Sequence, residues 1–365
     1  MQAEIIRKEL VDALKNTKKI AKTSSFGILC EAKENHFYIT TTNEYSRLSI
    51  ELQAIVRAEG SVVVPYKTFC DIINAMNSDK IDFSCIRQVV TIKNTSTSIT
   101  IPGSASANFP ELFDLGITKS KFAISPIDFK NALDQISFAM SEDSLRPILT
   151  GMLWEYQNGT LRILSTDGFR VASLDMPLQA TFDFRVIIPH TTIEILSGII
   201  KKNKNNIGAV AIYDRYILVS INNMILWTKL LDGKYPDINQ YIPKQYNTEI
   251  QFQSDRLLPL IKQAASILGK YSYVSLQPLD HKDIVLYGQS KDKNVVFKET
   301  FSVDSIFGQN IEKISYNTQY LLDSLVFMGN SPIIMRILNR NSPCIITSQK
   351  DSSKWLLLMP VWINN

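Results

Sequence analysis

The chain has 365 residues, of which 45% are hydrophobic and 20% are charged, and its formal net charge is +4. This composition is ordinary for a folded soluble protein and argues against a disordered chain. The length exceeds what one compact core usually holds, so we expect two or three domains. No run approaches the roughly 18 uninterrupted apolar residues of a membrane helix, and the N-terminal stretch MQAEIIRKEL lacks the apolar segment of a secretion signal. We therefore expect a cytoplasmic protein that makes no contact with membranes.

Cysteines and histidines do not group into a metal site or a disulfide framework. The cysteines are Cys30, Cys70, Cys85 and Cys344, and the histidines are His36, His190 and His281. Without Cys-x-x-Cys or His-ligand spacing, reduced thiols and unliganded imidazoles are expected. No phosphate-binding loop or dinucleotide fingerprint occurs either. The sequence thus predicts no metal and no cofactor.

The first predicted element in the chain is an amphipathic helix over residues 10–21. Its apolar residues recur with the helical period, and the same stripe returns over 129–140 and again over 257–268. A helix pattern that occurs three times indicates an internal repeat.

Predicted strands follow the first helix of each copy. Residues 27–48 align without a gap with residues 151–172, at an offset of 124 residues. Asn158-Gly159 is typical of a type I′ hairpin turn, and Asn222-Asn223 stands in a similar context. Pro65 and Pro189, also 124 apart, lie where a strand runs into a second helix, a position that suits proline. Asn317 takes this place in a weaker third copy.

A short proline-containing motif ends each of the first two copies: NFPEL at 108–112 and KYPDI at 234–238. The predicted fold is therefore α+β, with three similar domains that each hold two helices and antiparallel sheet. We place these domains at 1–119, 120–246 and 247–365.

The stretch STDGFRVASLDMP, residues 165–177, has two interpretations. In the first, Asp167 is a general base and Arg170 binds an anion. In the second, Asp167 caps a tight turn by accepting hydrogen bonds from backbone two residues on. The first copy carries Asn43 at this position, which keeps the turn chemistry but not the base. This favours the turn and predicts no catalytic residue.

Five motifs are specific in combination: LRPILTGMLWE, LRILSTDGFRVA, VIIP, LLDGKYPDINQYIPK and the terminal LLLMPVW. Together they resemble the sliding clamp family, the β subunits of bacterial DNA polymerase III. The resemblance extends over the whole chain, including its length and triplication. It implies a clamp fold in which two chains join head to tail as a ring around double-stranded DNA, without reading its sequence. It also implies a processivity factor with no catalysis of its own, which tethers polymerases to DNA.

The resemblance further implies a hydrophobic pocket that takes short peptides carrying glutamine, leucine and phenylalanine. Such peptides occur in the polymerase III α subunit, the clamp loader and other partners. The positions matching the family pocket are Arg146, Leu149, Thr166, Gly168, Arg170, Val171, Pro236, Tyr241, Asn317, Tyr320, Leu357, Leu358, Met359, Pro360 and Val361. Phe169 and Gln240 stand where many clamps have histidine and arginine, and Trp362 belongs to a C-terminal ending that is unusual for the family. These departures bear on which partners bind.

Duplex DNA and a second protomer are the other implied partners. A ring that slides needs distant, sequence-independent attraction to phosphates rather than base contacts. Candidate DNA-facing residues are Lys15, Lys19, Lys22, Lys201, Lys202, Lys204 and Lys262. Candidate dimer-interface residues are Ile99, Ile101, Ile267, Leu268 and Glu299.

Three alternatives stay open from the sequence alone. The lysines could form only a solvated face. The chain could be an enzyme that uses Asp167 and Arg170. It could also be an interaction protein with a clamp-like fold that does not encircle DNA.

Overall fold

A computed structural model describes residues 1–112, 114, 116–200, 207–269, 272–290, 293–308 and 313–362. Lys201, Lys202 and Lys204, which we expected to face DNA, lie outside these residues. The α-helices are α1 (Arg7–Ala21), α2 (Tyr66–Ala75), α3 (Pro126–Ile136), α4 (His190–Ile199), α5 (Ser254–Leu268) and α6 (Thr318–Met328). They occupy the three predicted helix pairs. The stripe found in the sequence is buried in α1, where Leu10, Ala13, Leu14 and Thr17 face the core.

The strands connect these helices in antiparallel ladders. The first group is β1 (Gln2–Ile6), β2 (Ile28–Lys33), β3 (His36–Thr42), β4 (Ser46–Ala58), β5 (Gly60–Val64), β6 (Lys80–Ile86), β7 (Val89–Lys93), β8 (Ser98–Pro102) and β9 (Thr118–Ile124). The second is β10 (Gly151–Gln157), β11 (Thr160–Thr166), β12 (Arg170–Pro177), β13 (Phe184–Pro189), β14 (Gly208–Tyr213), β15 (Tyr216–Ile221) and β16 (Met224–Lys229). The third is β17 (Thr248–Gln253), β18 (Tyr273–Pro278), β19 (Asp283–Ser290), β20 (Val295–Ser302), β21 (Ser305–Gly308), β22 (Ile314–Asn317), β23 (Pro332–Ile337), β24 (Cys344–Ser348) and β25 (Lys354–Leu358).

The chain divides into two compact units. The first comprises Met1–Asn131, Gln179–Phe184 and Thr191–Leu230; the second comprises Ala132–Leu178, Arg185–His190 and the chain from Leu231 onward. In the first unit a sheet runs β8-β7-β6-β1-β4-β16-β15-β14-β9, with β3, β2 and β5 continuing from β4. In the second, one sheet runs β13-β10-β11-β12-β25-β24-β23-β17-β21 and another runs β20-β19-β18-β22. Strands of the predicted middle domain thus contribute to both units, and the boundaries near 119 and 246 stay predictions.

Ladder registers confirm the internal repeat. Thr42 pairs with Arg47 between β3 and β4, and Thr166 pairs with Val171 between β11 and β12, again at an offset of 124. Asn158 and Gly159 join β10 to β11 with φ of 51° and 81°, as the predicted type I′ turn requires. These positive φ angles explain why asparagine and glycine stand there.

Candidate peptide-binding site

The β11–β12 turn, residues 166–170, is held by its own side chains. Asp167 Oδ1 accepts the backbone N–H groups of Phe169 (2.9 Å) and Arg170 (3.0 Å). Thr166 Oγ1 donates to the Arg170 carbonyl at 2.7 Å and accepts from the Gly168 N–H at 3.1 Å. Gly168 has φ +92°, a conformation that L side chains rarely adopt. Asp167 is therefore a turn residue, as the comparison with Asn43 predicted.

Arg170 connects this turn to helix α6. Its Nε donates to Asp167 Oδ2 at 3.0 Å, its Nη1 to Asp323 Oδ2 at 2.6 Å, and its Nη2 to the Phe138 carbonyl at 2.6 Å. The guanidinium also lies 4.1 Å from the ring centroid of Tyr320. Because Arg170 is buried, these partners replace the water that it loses. With its charge neutralised in this way, it is a structural cation rather than an open anion site.

An apolar cluster lies beside the turn on one face of the large sheet of the second unit. Its buried members are Leu153, Leu164, Val171, Ile187, Tyr235, Ile238, Ile345 and Leu357, and Ile148, Leu231, Ile242, Tyr246, Trp355 and Met359 pack against it half-buried. Val171 and Leu357 are direct neighbours across β12 and β25, which places both side chains on the same face. The half-buried members give this cluster an accessible apolar surface.

The connector, residues 231–246, covers part of this face. A short 3-10 helix, Ile238–Tyr241, begins where Asp237 Oδ1 accepts the Asn239 N–H, and Asp237 also accepts from the Gln240 amide. Tyr235 anchors the connector in the cluster. Pro236 is half-buried, whereas Tyr241 remains 59% exposed. An exposed aromatic ring beside an apolar cluster is typical of a partner-binding surface.

The C-terminal segment, residues 359–362, contacts the turn directly. The Met359 N–H donates to the Phe169 carbonyl at 2.9 Å, and the Val361 N–H donates to the Ser315 carbonyl at 2.7 Å. Met359, Pro360 and Val361 are half-buried. Turn, connector and C-terminal segment therefore come together around the apolar cluster.

Trp362 is exposed yet held in place. Its Nε1–H donates to Asn341 Oδ1 at 2.7 Å, and the Arg340 guanidinium lies 5.6 Å from its ring centroid. Phe169 is exposed as well, and its ring centroid is 6.5 Å from that of Tyr320. These aromatic residues are the departures from the family pattern that the sequence showed.

The remaining expected pocket residues differ from one another in exposure and in structural role. Arg146 is exposed, and its Nη1 is 3.1 Å from where a Cβ on Gly168 would be. Leu149 is buried, and the Asn317 side chain caps α6 by accepting the Tyr320 N–H at 3.0 Å. Leu358 is fully buried and points away from Leu357, because side chains alternate along a strand. We therefore leave Leu358 out of the candidate site.

Sequence reasoning did not select Asp323, Phe138, Tyr235 or Asn341. Asp323 could have been found, because it lies three residues after Tyr320 on a predicted helix and so shares its face. Tyr235 precedes Pro236 in LLDGKYPDINQYIPK, one of the motifs that carry the family resemblance. Nothing in the local sequence marked Phe138 or Asn341, since they contribute through contacts distant along the chain.

The connector and the same sheet face also line a cavity of about 420 Å³. Its walls include Ile242, Ile345 and Trp355, which also belong to the apolar cluster. The apolar surface of the cluster thus extends into this cavity.

Family models for the DNA polymerase III beta subunit match the chain in order. The N-terminal domain model matches residues 1–113, the central domain model 123–237 and the C-terminal domain model 239–362. The chain belongs to the DNA polymerase III beta subunit family. The beta sliding clamp of Staphylococcus aureus is 25% identical over 347 residues, covering 92% of this chain and 91% of that protein. That of Staphylococcus epidermidis is 24% identical over 345 residues, with the same shares covered.

Solved sliding clamps share the fold over the full length of both chains. The DNA polymerase sliding clamp from Bacillus subtilis has a TM-score of 0.91 at 22% identity. The Pseudomonas aeruginosa sliding clamp bound to griselimycin has a TM-score of 0.90 at 22% identity, covering all of both chains. The α+β clamp fold with three similar domains is thereby confirmed.

The expected DNA-facing lysines of this chain differ in whether they form ion pairs. Lys15 lies 3.5 Å from Asp12, and Lys19 lies 3.3 Å from Glu194. Lys22 and Lys262 are exposed, and in the described part of the chain neither has an ion pair. The two candidate lysines within α1 are therefore paired, whereas Lys22, directly after α1, and Lys262, on α5, are not.

The expected dimer-interface residues of this chain lie at or near sheet edges. Ile99 and Ile101 are on β8, and Glu299 is on β20; among the described strands, β8 pairs only with β7 and β20 only with β19. Ile101 is buried, as is Leu268 at the end of α5, whereas Ile267 is 36% exposed. Buried Ile101 and Leu268 belong to the cores of their own units, so Ile99, Ile267 and Glu299 offer more accessible surface.

Two further features are absent from the described residues. No cluster of three or more histidine, cysteine, aspartate or glutamate side chains there is arranged to hold a metal ion. No helix there is long and apolar enough to span a membrane.

Proposed function

We propose that this protein is a DNA sliding clamp, the processivity factor of DNA polymerase III, and that its partners bind the site between turn, connector and C-terminal segment. The observation that carries this proposal is the convergence of those three segments on one partly accessible apolar cluster. Apolar walls with a few polar anchors suit a peptide that presents leucine and phenylalanine. The polymerase α subunit and the clamp loader are the partners we infer.

Peptide binding tests the proposal directly. A fluorescent peptide containing the glutamine–leucine–phenylalanine motif should bind, and the same peptide with alanine at leucine and phenylalanine should not. Tyr241→Ala should weaken binding about tenfold, a loss of roughly 1.4 kcal/mol. The matched control is Tyr45→Ala, because Tyr45 is also 59% exposed but belongs to the first unit. Equal binding by both variants would contradict the proposed site.

We also propose a head-to-tail homodimer that closes a ring. Support comes from the outer edges of β8 and β20, which no other strand of the described residues covers; pairing two such edges between protomers would remove exposed backbone donors and acceptors. Light scattering should report twice the mass of the 41.4 kDa chain. A monomer at micromolar concentration would argue against the ring.

Double-stranded DNA would be held by enclosure rather than by base contacts. The clamp, loaded on nicked circular DNA, should stay bound in high salt and leave when the circle is cut. Release from the intact circle would favour an interaction protein that does not encircle DNA. We infer a cytoplasmic location from the similarity to bacterial sliding clamps. We infer a non-catalytic role, because the contacts of Asp167 are committed to the turn and to Arg170.

A further inference from the structure

The first unit contains a second turn built like the one at the candidate site. Asn43 Oδ1 accepts the N–H groups of Tyr45 (2.9 Å) and Ser46 (2.7 Å), as Asp167 Oδ1 does for Phe169 and Arg170. Thr42 Oγ1 donates to the Ser46 carbonyl, as Thr166 does to that of Arg170. The repeat therefore preserves the turn itself, residues 42–46, and not only the sheet.

The strand beside this first-unit turn also has a counterpart at the candidate site. Strand β16 pairs with β4 so that Trp227 lies opposite Arg47, whereas β25 pairs with β12 so that Leu357 lies opposite Val171. At the end of β16, the Lys229 N–H donates to the Tyr45 carbonyl at 2.8 Å. The Met359 N–H makes the same bond to the Phe169 carbonyl at 2.9 Å.

An aromatic–proline pair completes the correspondence. Phe109 is buried against Leu29 and Val63 in the first unit, and Tyr235 is buried in the cluster of the second. Pro110 follows Phe109 as Pro236 follows Tyr235. All three segments that surround the candidate site therefore have equivalents in the first unit.

One residue fills the space where these equivalents meet. Arg47 stands at the position of Val171, its Nη1 donates to the Pro110 carbonyl at 2.8 Å, and its guanidinium lies 5.2 Å from the Phe109 ring centroid. Burial holds the pKa of Arg47 below its usual value. Among the residues the structure describes, no carboxylate lies within ion-pair distance of this guanidinium, and the Glu31 carboxylate acts on it only from farther away. The half-buried Arg47 side chain is thus held in place by a carbonyl and an aromatic ring. It covers the part of the first unit that corresponds to the surface beside the shorter Val171 side chain in the second unit.

We propose that the first-unit turn is a closed copy of the peptide site, and that Arg47 closes it. This inference rests on the proposed function of the second-unit site. It predicts that each protomer binds one motif peptide, and that removing the guanidinium opens a second, weaker site. The second site should be weaker because the bulkier Trp227 replaces Leu357.

The test counts peptides per protomer by native mass spectrometry and calorimetry. Wild-type protein should bind one peptide and Arg47→Val should bind two. The matched control is Arg57→Val, which also removes an arginine from β4, but one that is paired with Glu4 and Asp82 away from the turn. It should still bind one peptide.

A reciprocal pair separates opening from general damage. Val171→Arg should abolish binding, and Arg47→Val combined with Val171→Arg should retain one weak site. One bound peptide for Arg47→Val with a wild-type melting curve overturns the inference but leaves the proposed function intact. No peptide on wild-type protein overturns the proposed function itself. Should Arg47→Val not fold, full binding by a folded Val171→Arg variant would overturn the inference instead.

Discussion

The Arg170 guanidinium and the Asp323 carboxylate form an ion pair of 2.6 Å that ties the β11–β12 turn to helix α6. Their side chains are 9% and 23% exposed, so solvent screens the pair less than it screens a surface ion pair. The same arginine also holds Asp167 at 3.0 Å. Two distant parts of the chain are thereby fixed at one edge of the candidate site.

Removing Asp323 should therefore cost stability. Asp323→Ala leaves a buried guanidinium with one carboxylate fewer, and we expect unfolding free energy to fall by about 1–3 kcal/mol. Thermal or urea unfolding measures this. The control is Asp304→Ala, whose partner Arg256 is exposed, so a loss below about 1 kcal/mol is expected there. Similar losses in both variants would contradict a special role for Asp323.

Two glycine substitutions should change stability in opposite directions. Gly168→Ala places a Cβ at φ +92°, close to Arg146, and should destabilise the protein by about 1 kcal/mol. Gly198 lies within α4, where an added Cβ meets no atom within 4 Å. Gly198→Ala should therefore be neutral or stabilising by up to about 1 kcal/mol. Unfolding curves of the two variants check the signs.

Trp362 should contribute to peptide affinity rather than to stability. Trp362→Ala removes an exposed ring of the C-terminal segment that a hydrogen bond to Asn341 holds in place. We expect roughly tenfold weaker peptide binding with an unchanged melting temperature. Phe182→Ala is the control, because Phe182 is 69% exposed, close to the 66% of Trp362, but lies in the first unit. If both variants bind as wild type does, Trp362 takes no part in peptide recognition.

Lys22 should matter more for DNA than Lys19. The Lys19 ammonium already contacts Glu194, whereas Lys22 is exposed and, within the described ranges, unpaired. If Lys22 contacts one phosphate, Lys22→Ala should reduce the slope of log affinity against log salt by about 0.9. Lys19→Ala should change it less. Salt titrations of clamp binding to DNA measure both slopes, and a reversed order would refute the assignment.

Stability should decrease in alkali. Burial raises the pKa of the Cys344 thiol from an ordinary 9.0 to about 12. Between these values the unfolded chain loses the proton that the folded chain keeps, so unfolding free energy falls by up to about 1.4 kcal/mol per pH unit. Urea unfolding of Cys344→Ala should show a shallower decline above pH 9. Below about pH 8 the thiol is protonated in both states, and the difference between variant and wild type should stay constant.

The sequence by itself determined the repeat and the elements within it. Helical stripes such as that of Leu10 and Leu14, and turn residues such as Asn158-Gly159, act over a few neighbouring residues, so their pattern is visible along the chain. The substitution of Asp167 by Asn43 between copies likewise marked a turn rather than a base. For the candidate site, the family motifs located the turn, the connector and the C-terminal segment.

Only the tertiary structure decided which of these residues share a surface. Leu357 and Leu358 are identical neighbours in the sequence, yet strand alternation places one in the apolar cluster and the other on the opposite face. Asp323 became a partner of Arg170, and Arg47 came to cover Phe109, through contacts between residues far apart in the chain. Such contacts depend on how sheets and helices pack, and no local period of the sequence encodes them.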